Sequence, residues 1–371
     1  MFEGVGIDVP PGDAHDSRSG LQTLYPRIWG AFHRVPHARV AAVVSHPTSN
    51  FMGHYLLEPL AKRGIASLGL NTRYAGNDES LIFERAILDL GAGVTWLRSQ
   101  GYERVLLIGN SGGGAFASFY QAQAESLDID CTPAGDPVSL TPQDLPPCQG
   151  IVLSAAHLGR SRLLRCWIDP AVVDEGDPLS SDPALDMFNP TNGPPYSESF
   201  LATYRAAQRA RRDRIEAWAI QRLVHIRSLN DAPRDMAFVI HRTLADPRCL
   251  DPRLDTNDRA PNTTVWGPPR EQNYAANSMG RFTTLTAFLS QWASRSRADG
   301  PSNLARTSVP VLLMEHTADA STFPSDHDTW ARAAGARVIR RQLKGGTHYL
   351  AGQPHLVAQL ADEIAAFAAA L

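Results

Sequence analysis

The sequence contains little cysteine, with only four cysteines scattered along 371 residues. None of them forms a C-x-x-C pair, so their spacing indicates neither a metal-binding knuckle nor a dense disulfide framework. The N-terminus also lacks a basic segment followed by an apolar one, and no apolar run approaches the ~18 residues of a membrane span. These absences are typical of a cytoplasmic protein with free thiols, and this is the location that we predict.

An excess of charge of one sign is also absent, because 35 basic and 38 acidic residues give a formal net charge of −3. This balance gives no electrostatic reason to expect nucleic acid or an anionic membrane as a partner. We therefore predict a small-molecule substrate as the partner and leave the formation of a homo-oligomer open. The length favours two domains, or one large domain with an insertion.

Short apolar runs alternate with helical segments in the first part of the chain and again at its end. The apolar runs lie at 38–46, 65–71, 104–110, 149–156, 309–316 and 336–343. Such runs are typical of strands buried on both faces, and their alternation with helices predicts a mostly parallel, doubly wound α/β sheet.

Between residues 157 and 300 this alternation stops. Pro-rich loops and polar helical patterns take its place. The helical patterns lie at 199–230, 233–246 and 281–297. We therefore predict that residues 1–156 and 301–371 form the two parts of one α/β core, and that residues 157–300 form a mostly helical insertion.

A serine lies between small residues at the point where the third predicted strand turns into a helix. The segment Gly109-Asn110-Ser111-Gly112-Gly113 has the Gly-x-Ser-x-Gly pattern of a nucleophile elbow. Because that turn is very tight, the residues two before and two after the serine have to be small. The turn places the serine hydroxyl at the carboxyl end of the sheet, where ligands bind in open α/β folds. The patterns of a dinucleotide site and of a phosphate loop are not present.

An acid and a histidine follow Ser111 in an order that resembles the α/β-hydrolase superfamily, in its capped serine hydrolase or esterase form. Asp319 lies just after the next-to-last predicted strand, and His348 lies just after the last one. The resemblance covers about 25–155 and 305–371. It implies a Ser111–His348–Asp319 catalytic triad at one edge of an α/β-hydrolase fold.

Other acids and histidines of this region are alternatives to Asp319 and His348. They are Asp326, Asp328, His327, His355 and His316. The two aspartates are more typical of a helix start, and the first two histidines lie on or beside helices. The third histidine lies inside a strand end, where a packed side chain is expected.

The resemblance further implies an oxyanion hole made of two backbone N–H groups. Gly112 directly follows the nucleophile, and the second donor is expected in the loop after the first predicted strand. Related enzymes have His-Gly there, whereas this chain has His46-Pro47, and proline has no N–H group. We therefore predict Thr48 as the second donor, with Ser49 as the next choice, and a structural role for His46.

Five residues are candidates for contact with the substrate, although each has a structural alternative. They are Ser49, Arg73, His157, Trp266 and Tyr274. Arg73 would bind a carboxylate, but a salt bridge within its loop is the simpler interpretation. The two aromatic residues, together with Trp292, would line an acyl or ring pocket or would pack the insertion. His157 would face the site or have a structural role.

The resemblance implies two-step acyl transfer without a metal or an organic cofactor, and it makes residues 157–300 a cap that restricts substrate size. We predict an ester of a small, moderately apolar acid or alcohol as the substrate. The same triad also accepts an amide, a thioester, a lactone or a carbon–carbon bond beside a ketone, and the fold does not choose among them. Two other classes stay open, a non-catalytic small-molecule-binding protein and a cofactor-free oxidoreductase or lyase.

Overall fold

The computed structural model describes residues 2–9, 26–230 and 233–371. Met1 and residues 10–25, which the prediction assigns to the core, lie outside the described residues, as do residues 231–232 of the predicted insertion. No helix of the described part is long and apolar enough to cross a bilayer.

The strands and helices follow each other in an α/β alternation at both ends of the chain. The strands are β1 (Glu3–Asp8), β2 (Arg27–His33), β3 (Val40–His46), β4 (Ala66–Asn71), β5 (Arg104–Asn110), β6 (Gly150–Ser154), β7 (Val172–Asp174), β8 (Asp177–Ser181), β9 (Ala237–Val239), β10 (Phe282–Thr284), β11 (Val311–His316) and β12 (Val338–Leu343). The α-helices are α1 (Leu57–Ala61), α2 (Phe83–Ser99), α3 (Gly113–Glu125), α4 (Arg160–Trp167), α5 (Glu198–Ser228), α6 (Pro269–Tyr274), α7 (Leu285–Gln291), α8 (Gly300–Leu304), α9 (Pro324–Ala334) and α10 (Pro354–Ala369). Short 3₁₀ turns lie at Asp78–Ser80, Pro142–Asp144, Pro247–Cys249 and Gly335–Arg337.

Eight strands form one sheet in the order β1-β2-β4-β3-β5-β6-β11-β12. Strand β2 pairs antiparallel with both β1 and β4, and the remaining neighbours pair in parallel. The helices α2, α3 and α9 pack on one face and α1 and α10 on the other, each over its own apolar core. The central strands are therefore buried on both sides, which explains their continuous apolar runs. The predicted doubly wound, mostly parallel sheet is confirmed.

Between residues 157 and 300, the described residues contribute no strand to this sheet. Helices α4, α5 and α7 share a separate apolar core there. The sequence did not indicate the two small antiparallel pairs of this segment, β7 with β8 and β9 with β10. The helix expected at 233–246 is absent from the described residues, because Ala237–Val239 pairs with Phe282–Thr284 instead. This tertiary pairing overrides a helical pattern that is only local.

Candidate active site

Ser111 lies in the tight turn between β5 and α3, and its backbone φ angle is +56°. A positive φ angle is uncommon for a residue other than glycine and is often found at functional sites. The neighbouring glycines make the turn sterically feasible. A Cβ atom at Gly113 would lie 2.4 Å from the carbonyl oxygen of Ser45, and one at Gly109 would lie 2.5 Å from the carbonyl oxygen of Gly113. Both positions therefore exclude any side chain, as the elbow pattern predicts.

The structure brings the serine, the histidine and the acid into one hydrogen-bonded relay. The Ser111 hydroxyl lies 3.0 Å from Nε2 of His348, and Nδ1 of His348 lies 2.7 Å from a carboxylate oxygen of Asp319. His348 follows β12 and Asp319 follows β11, so parallel strands deliver both side chains to the same edge of the sheet as Ser111. Because Nδ1–H donates to the carboxylate, the lone pair of Nε2 faces the serine hydroxyl.

Asp319 is completely buried and is held by several donors. Its Oδ1 accepts the backbone N–H groups of Ser321 and Thr322 at 2.7 and 3.2 Å, and its Oδ2 accepts the Thr322 hydroxyl at 2.7 Å. Burial alone would raise the pKa of Asp319, but the neighbouring His348 and these hydrogen bonds lower the pKa well below its usual range. The carboxylate therefore stays ionised beside the imidazole.

The alternative acids and histidines have other partners. Asp326 accepts the backbone N–H of Phe323 at the start of α9, and Asp328 forms an ion pair with Arg340 at 2.6 Å. His327 is buried within α9, and His355 is exposed at the start of α10. Among the described residues, none of these four side chains forms a hydrogen bond with Ser111.

Ser154 and His316 form a second serine–histidine pair close to the loop that carries His348. The Ser154 hydroxyl is 2.9 Å from Nε2 of His316, and Nδ1 of His316 lies 2.9 Å from the carbonyl oxygen of Thr347. Both side chains are almost fully buried, and burial lowers the pKa of His316 to about 4. The pair ties β6 and β11 to the loop that carries His348, which is the packed role expected for His316.

The predicted oxyanion donors have different surroundings. Gly112 precedes α3, and within the described residues no hydrogen bond from its N–H group to another group is found. The N–H groups of Thr48 and Ser49, in contrast, both donate to Nδ1 of His46, at 3.1 and 2.9 Å. In this geometry neither group is free to bind an oxyanion, so the expectation for Thr48 and its alternative needs correction. The loop turns its N–H groups toward its own histidine.

Ser111 opens into a cavity of about 630 Å³. One wall comes from the loops after β3, β4 and β5. The other comes from residues 266–282, which belong to the segment between 157 and 300. The apolar part of the lining consists of Phe51, Trp266, Met279, Phe282 and Tyr349. Tyr349 also contacts His348 edge to face, with 4.6 Å between the ring centroids.

Only two of the five predicted substrate contacts line this cavity, Ser49 and Trp266. Arg73 instead forms an ion pair with Asp89 at 2.7 Å, and both side chains are buried. Tyr274 stacks under the guanidinium of Arg242 at 4.7 Å and is not among the residues that line the cavity. For Arg73 and Tyr274, the structural alternatives describe the observed contacts.

His157 lies behind the relay rather than in the cavity. Its ring packs against His348, with 5.4 Å between the centroids, and its Nε2 lies 3.1 Å from the Ser321 hydroxyl. Burial lowers the pKa of His157 to about 3, so the ring is neutral near pH 7. Trp292 is also buried, and the guanidinium of Arg160 lies 5.0 Å from the centre of its ring.

The sequence did not single out Arg160, which connects the segment 157–300 to the loop after β3. Its buried guanidinium forms an ion pair with Asp78 at 2.6 Å, donates to the Thr48 hydroxyl at 2.9 Å and bonds to Gln291. Helix α4 also contains Arg162 and Arg165, so no local pattern distinguishes Arg160. Its role depends on contacts far apart in the chain.

No protein-family model matches the sequence, and the search of curated proteins found no match. Among solved structures, that of DcsB in complex with its substrate analogue is similar over 98% of each chain, with 13% identity and a TM-score of 0.52. The esterase domain of a Rhodothermus marinus protein has 13% identity over 99% of this chain and 98% of that one, with a TM-score of 0.48. Brefeldin A esterase, described as a bacterial homologue of human hormone sensitive lipase, has 14% identity over 99% of this chain and 76% of that one, with a TM-score of 0.45.

At this level of identity, structural likeness establishes a shared fold and nothing finer. The strand order and the positions of the site loops are independent evidence for the type of fold. Strand β2 pairs antiparallel with β4 near one edge of the sheet, and the strands from β4 to β12 are parallel. The serine elbow directly follows β5. Loops that carry an acid and a histidine follow the last two strands. The chain therefore has the α/β-hydrolase fold that the sequence predicted.

Proposed function

We propose that this protein is a serine hydrolase that cleaves a carboxylic ester of a small, moderately apolar substrate. The observation that carries the proposal is the hydrogen-bonded relay Ser111–His348–Asp319, which opens into the cavity of about 630 Å³. A serine hydroxyl is hardly ionised near neutral pH, so it needs a base to become a nucleophile. Nε2 of His348 lies within hydrogen-bond distance of that hydroxyl and serves as this base.

In the first step, His348 takes the proton from Ser111 while Oγ attacks the ester carbonyl. Asp319 holds the imidazole in the required tautomer and stabilises the imidazolium that forms. The Gly112 N–H binds the oxyanion of the tetrahedral intermediate. The intermediate collapses, the bond to the leaving alcohol breaks, and His348 returns the proton to that alcohol.

In the second step, water attacks the acyl-enzyme. His348 takes a proton from the water molecule, the hydroxide adds to the acyl carbon, and a second tetrahedral intermediate collapses. The carboxylic acid leaves, and the proton returns to Oγ of Ser111. The enzyme is regenerated without any other reactant.

We further propose that residues 157–300 act as a cap over the site. This role is supported by residues of the range 266–282 that line the same cavity as Ser111. Three side chains in this part of the lining are aromatic or contain sulfur, namely Trp266, Met279 and Phe282. They favour a substrate with an apolar portion, and the polar side chains in the rest of the lining favour a short apolar portion.

Hydrolysis of p-nitrophenyl esters from acetate to octanoate tests the proposal, with thioester, lactone, amide and diketone substrates in parallel. We expect turnover of the short esters and a loss of activity of about 10⁴-fold or more in S111A. The matched control is S154A, which removes the other serine of a serine–histidine pair and should keep its activity. If only the diketone is turned over, the protein hydrolyses a carbon–carbon bond, and the proposal of ester cleavage is wrong. Tight ligand binding without any turnover would support a binding protein.

A further inference from the structure

The two backbone donors that the sequence predicted in the loop after β3 are not free to bind an oxyanion. Pro47 has no N–H group, and the N–H groups of Thr48 and Ser49 donate to Nδ1 of His46. A tetrahedral intermediate held by the Gly112 N–H alone would lack the second donor that acyl transfer normally uses. The other ring nitrogen of His46, Nε2, is a candidate for the missing donor.

Hydrogen bonding fixes the tautomer of His46. Because Nδ1 accepts two N–H groups, it carries the lone pair, and the proton of a neutral ring lies on Nε2. Burial and the positive charge of Arg160 lower the pKa of His46 well below its ordinary value, so the ring is neutral near pH 7. Nε2–H is therefore a donor of known position.

The donor lies beside the nucleophile. A Cβ atom at Gly112 would be 2.7 Å from Nε2 of His46, so the ring edge occupies the space next to Gly112, whose N–H is the first oxyanion donor. His46 and Ser111 line the same cavity. Within the described part of the chain, Nε2 has no hydrogen-bond partner. The ring is held from behind by Phe51, whose centroid is 5.4 Å away.

We infer that Nε2–H of His46, together with the Gly112 N–H, forms the oxyanion hole. The inference rests on the proposed function and deepens it, because it assigns a side chain to a task that the sequence assigned to a backbone amide. The neutral imidazole donates a hydrogen bond to the developing oxyanion and keeps its proton throughout. The two bonds from Thr48 and Ser49 to Nδ1 hold the ring in place, so the donor does not have to reorganise during the reaction.

Two substitutions distinguish the donation of a hydrogen bond by Nε2–H of His46 from a purely structural role of this residue. In H46N the amide oxygen takes the place of Nδ1 and keeps both bonds from the loop, but no donor reaches the oxyanion. In H46Q the amide nitrogen takes the place of Nε2, but the acceptor for the loop is lost. We expect kcat to fall about 10²–10³-fold in H46N, with KM nearly unchanged, and to fall less than about tenfold in H46Q. A purely structural His46 predicts the reverse order of kcat.

The wild-type enzyme and S111A are measured alongside. If the wild type shows no turnover that depends on Ser111, the proposed function fails, and the inference fails with it. If that turnover is present and H46N keeps a kcat equal to or above that of H46Q, only the inference is overturned.

A measurement on the unmodified protein covers the case in which H46N does not fold. ¹⁵N-histidine NMR should identify His46 as the neutral Nε2–H tautomer. The proton on Nε2 should move downfield when a trifluoromethyl ketone forms its hemiketal with Ser111. A proton on Nδ1, or an Nε2–H signal that the hemiketal leaves unchanged, would overturn the inference.

Discussion

Asp319 determines which ring nitrogen of His348 carries the proton. The role of the Asp319 charge can therefore be tested by substitution. In D319N, the amide nitrogen would donate to Nδ1, so the proton of His348 would move to Nε2 and the ring could no longer accept the serine proton. We expect kcat to fall about 10⁴-fold while the melting temperature changes little, because the backbone donors to Oδ1 remain.

The control for this substitution is D328N, which removes a carboxylate from the ion pair with Arg340 at the surface. It should leave kcat within a factor of about two, since surface ion pairs contribute little. Equal losses in both variants would indicate that Asp319 is not the partner of the catalytic histidine.

The sequence could predict the side chains of the relay because each one follows a strand of a parallel sheet. Chain order and strand ends are sufficient to place Ser111, Asp319 and His348 at one edge. The partner of the Thr48 N–H could not be predicted in the same way. It depends on the orientation of a single loop, and no periodicity in the sequence records that orientation.

The elbow helix α3 packs unusually close to β3, and this contact requires glycine. A Cβ atom at Gly113 would approach the Ser45 carbonyl oxygen to 2.4 Å, and neither backbone can withdraw without disturbing the sheet. We expect G113A to lose about 3 kcal/mol of unfolding free energy in urea, together with most of its activity.

Gly53 is the matched position, because a Cβ atom there would meet nothing within 4 Å. G53A should stay within about 0.5 kcal/mol of the wild type. A stable and active G113A would show that α3 can move away from β3, and the steric account of the elbow would then be wrong.

Helix α2 and helix α7, which belongs to residues 157–300, meet at a buried carboxyl group. Glu84 accepts the Ser290 hydroxyl at 2.7 Å, and burial raises the pKa of Glu84 to about 7. In the unfolded chain its pKa is about 4.5, so the folded state binds more protons between these two values. The contribution of Glu84 to stability therefore falls as the pH rises from about 4.5 to about 7.

E84Q removes this titration. Relative to the wild type, we expect the variant to gain roughly 3 kcal/mol of unfolding free energy between about pH 4.5 and about pH 8, measured in urea. Using the difference between the two proteins cancels the contributions of the buried histidines. E271Q, at an exposed position, should show no such trend. A constant difference between E84Q and the wild type would mean that Glu84 is ionised in the folded protein throughout this range.

Among the elements, those of the central sheet were predictable and those of residues 157–300 were less so. Buried parallel strands impose long apolar runs, which the sequence displays directly. The pair of Ala237–Val239 with Phe282–Thr284 joins segments more than forty residues apart, and each strand has only three residues. Such short strands are stabilised by contacts that a local pattern does not contain.

At the scale of the whole molecule, residues of the sheet loops and residues 266–282 line one cavity, so the proposed cap should set substrate size. Trp266 is about two-fifths exposed and lines the same cavity as Ser111. We expect W266A to raise the ratio of kcat/KM for octanoate over acetate esters about tenfold, because the indole no longer limits the acyl chain.

Tyr274 is the control, since it is similarly exposed but is not among the residues that line the cavity. Y274A should leave the chain-length ratio unchanged. If both variants shift the ratio equally, the effect comes from a general loosening of residues 157–300. If neither does, the acyl chain does not lie against Trp266.

Ser111 is proposed to be an activated nucleophile, and covalent labelling tests this proposal most directly. The purified protein is treated with a fluorophosphonate, its intact mass is measured, and the labelled peptide is mapped, with S111A and S154A in parallel. We predict a single adduct on the peptide that contains Ser111, absent from S111A and retained in S154A. A folded wild-type protein that takes up no label, or that is labelled equally in S111A, would contradict the account.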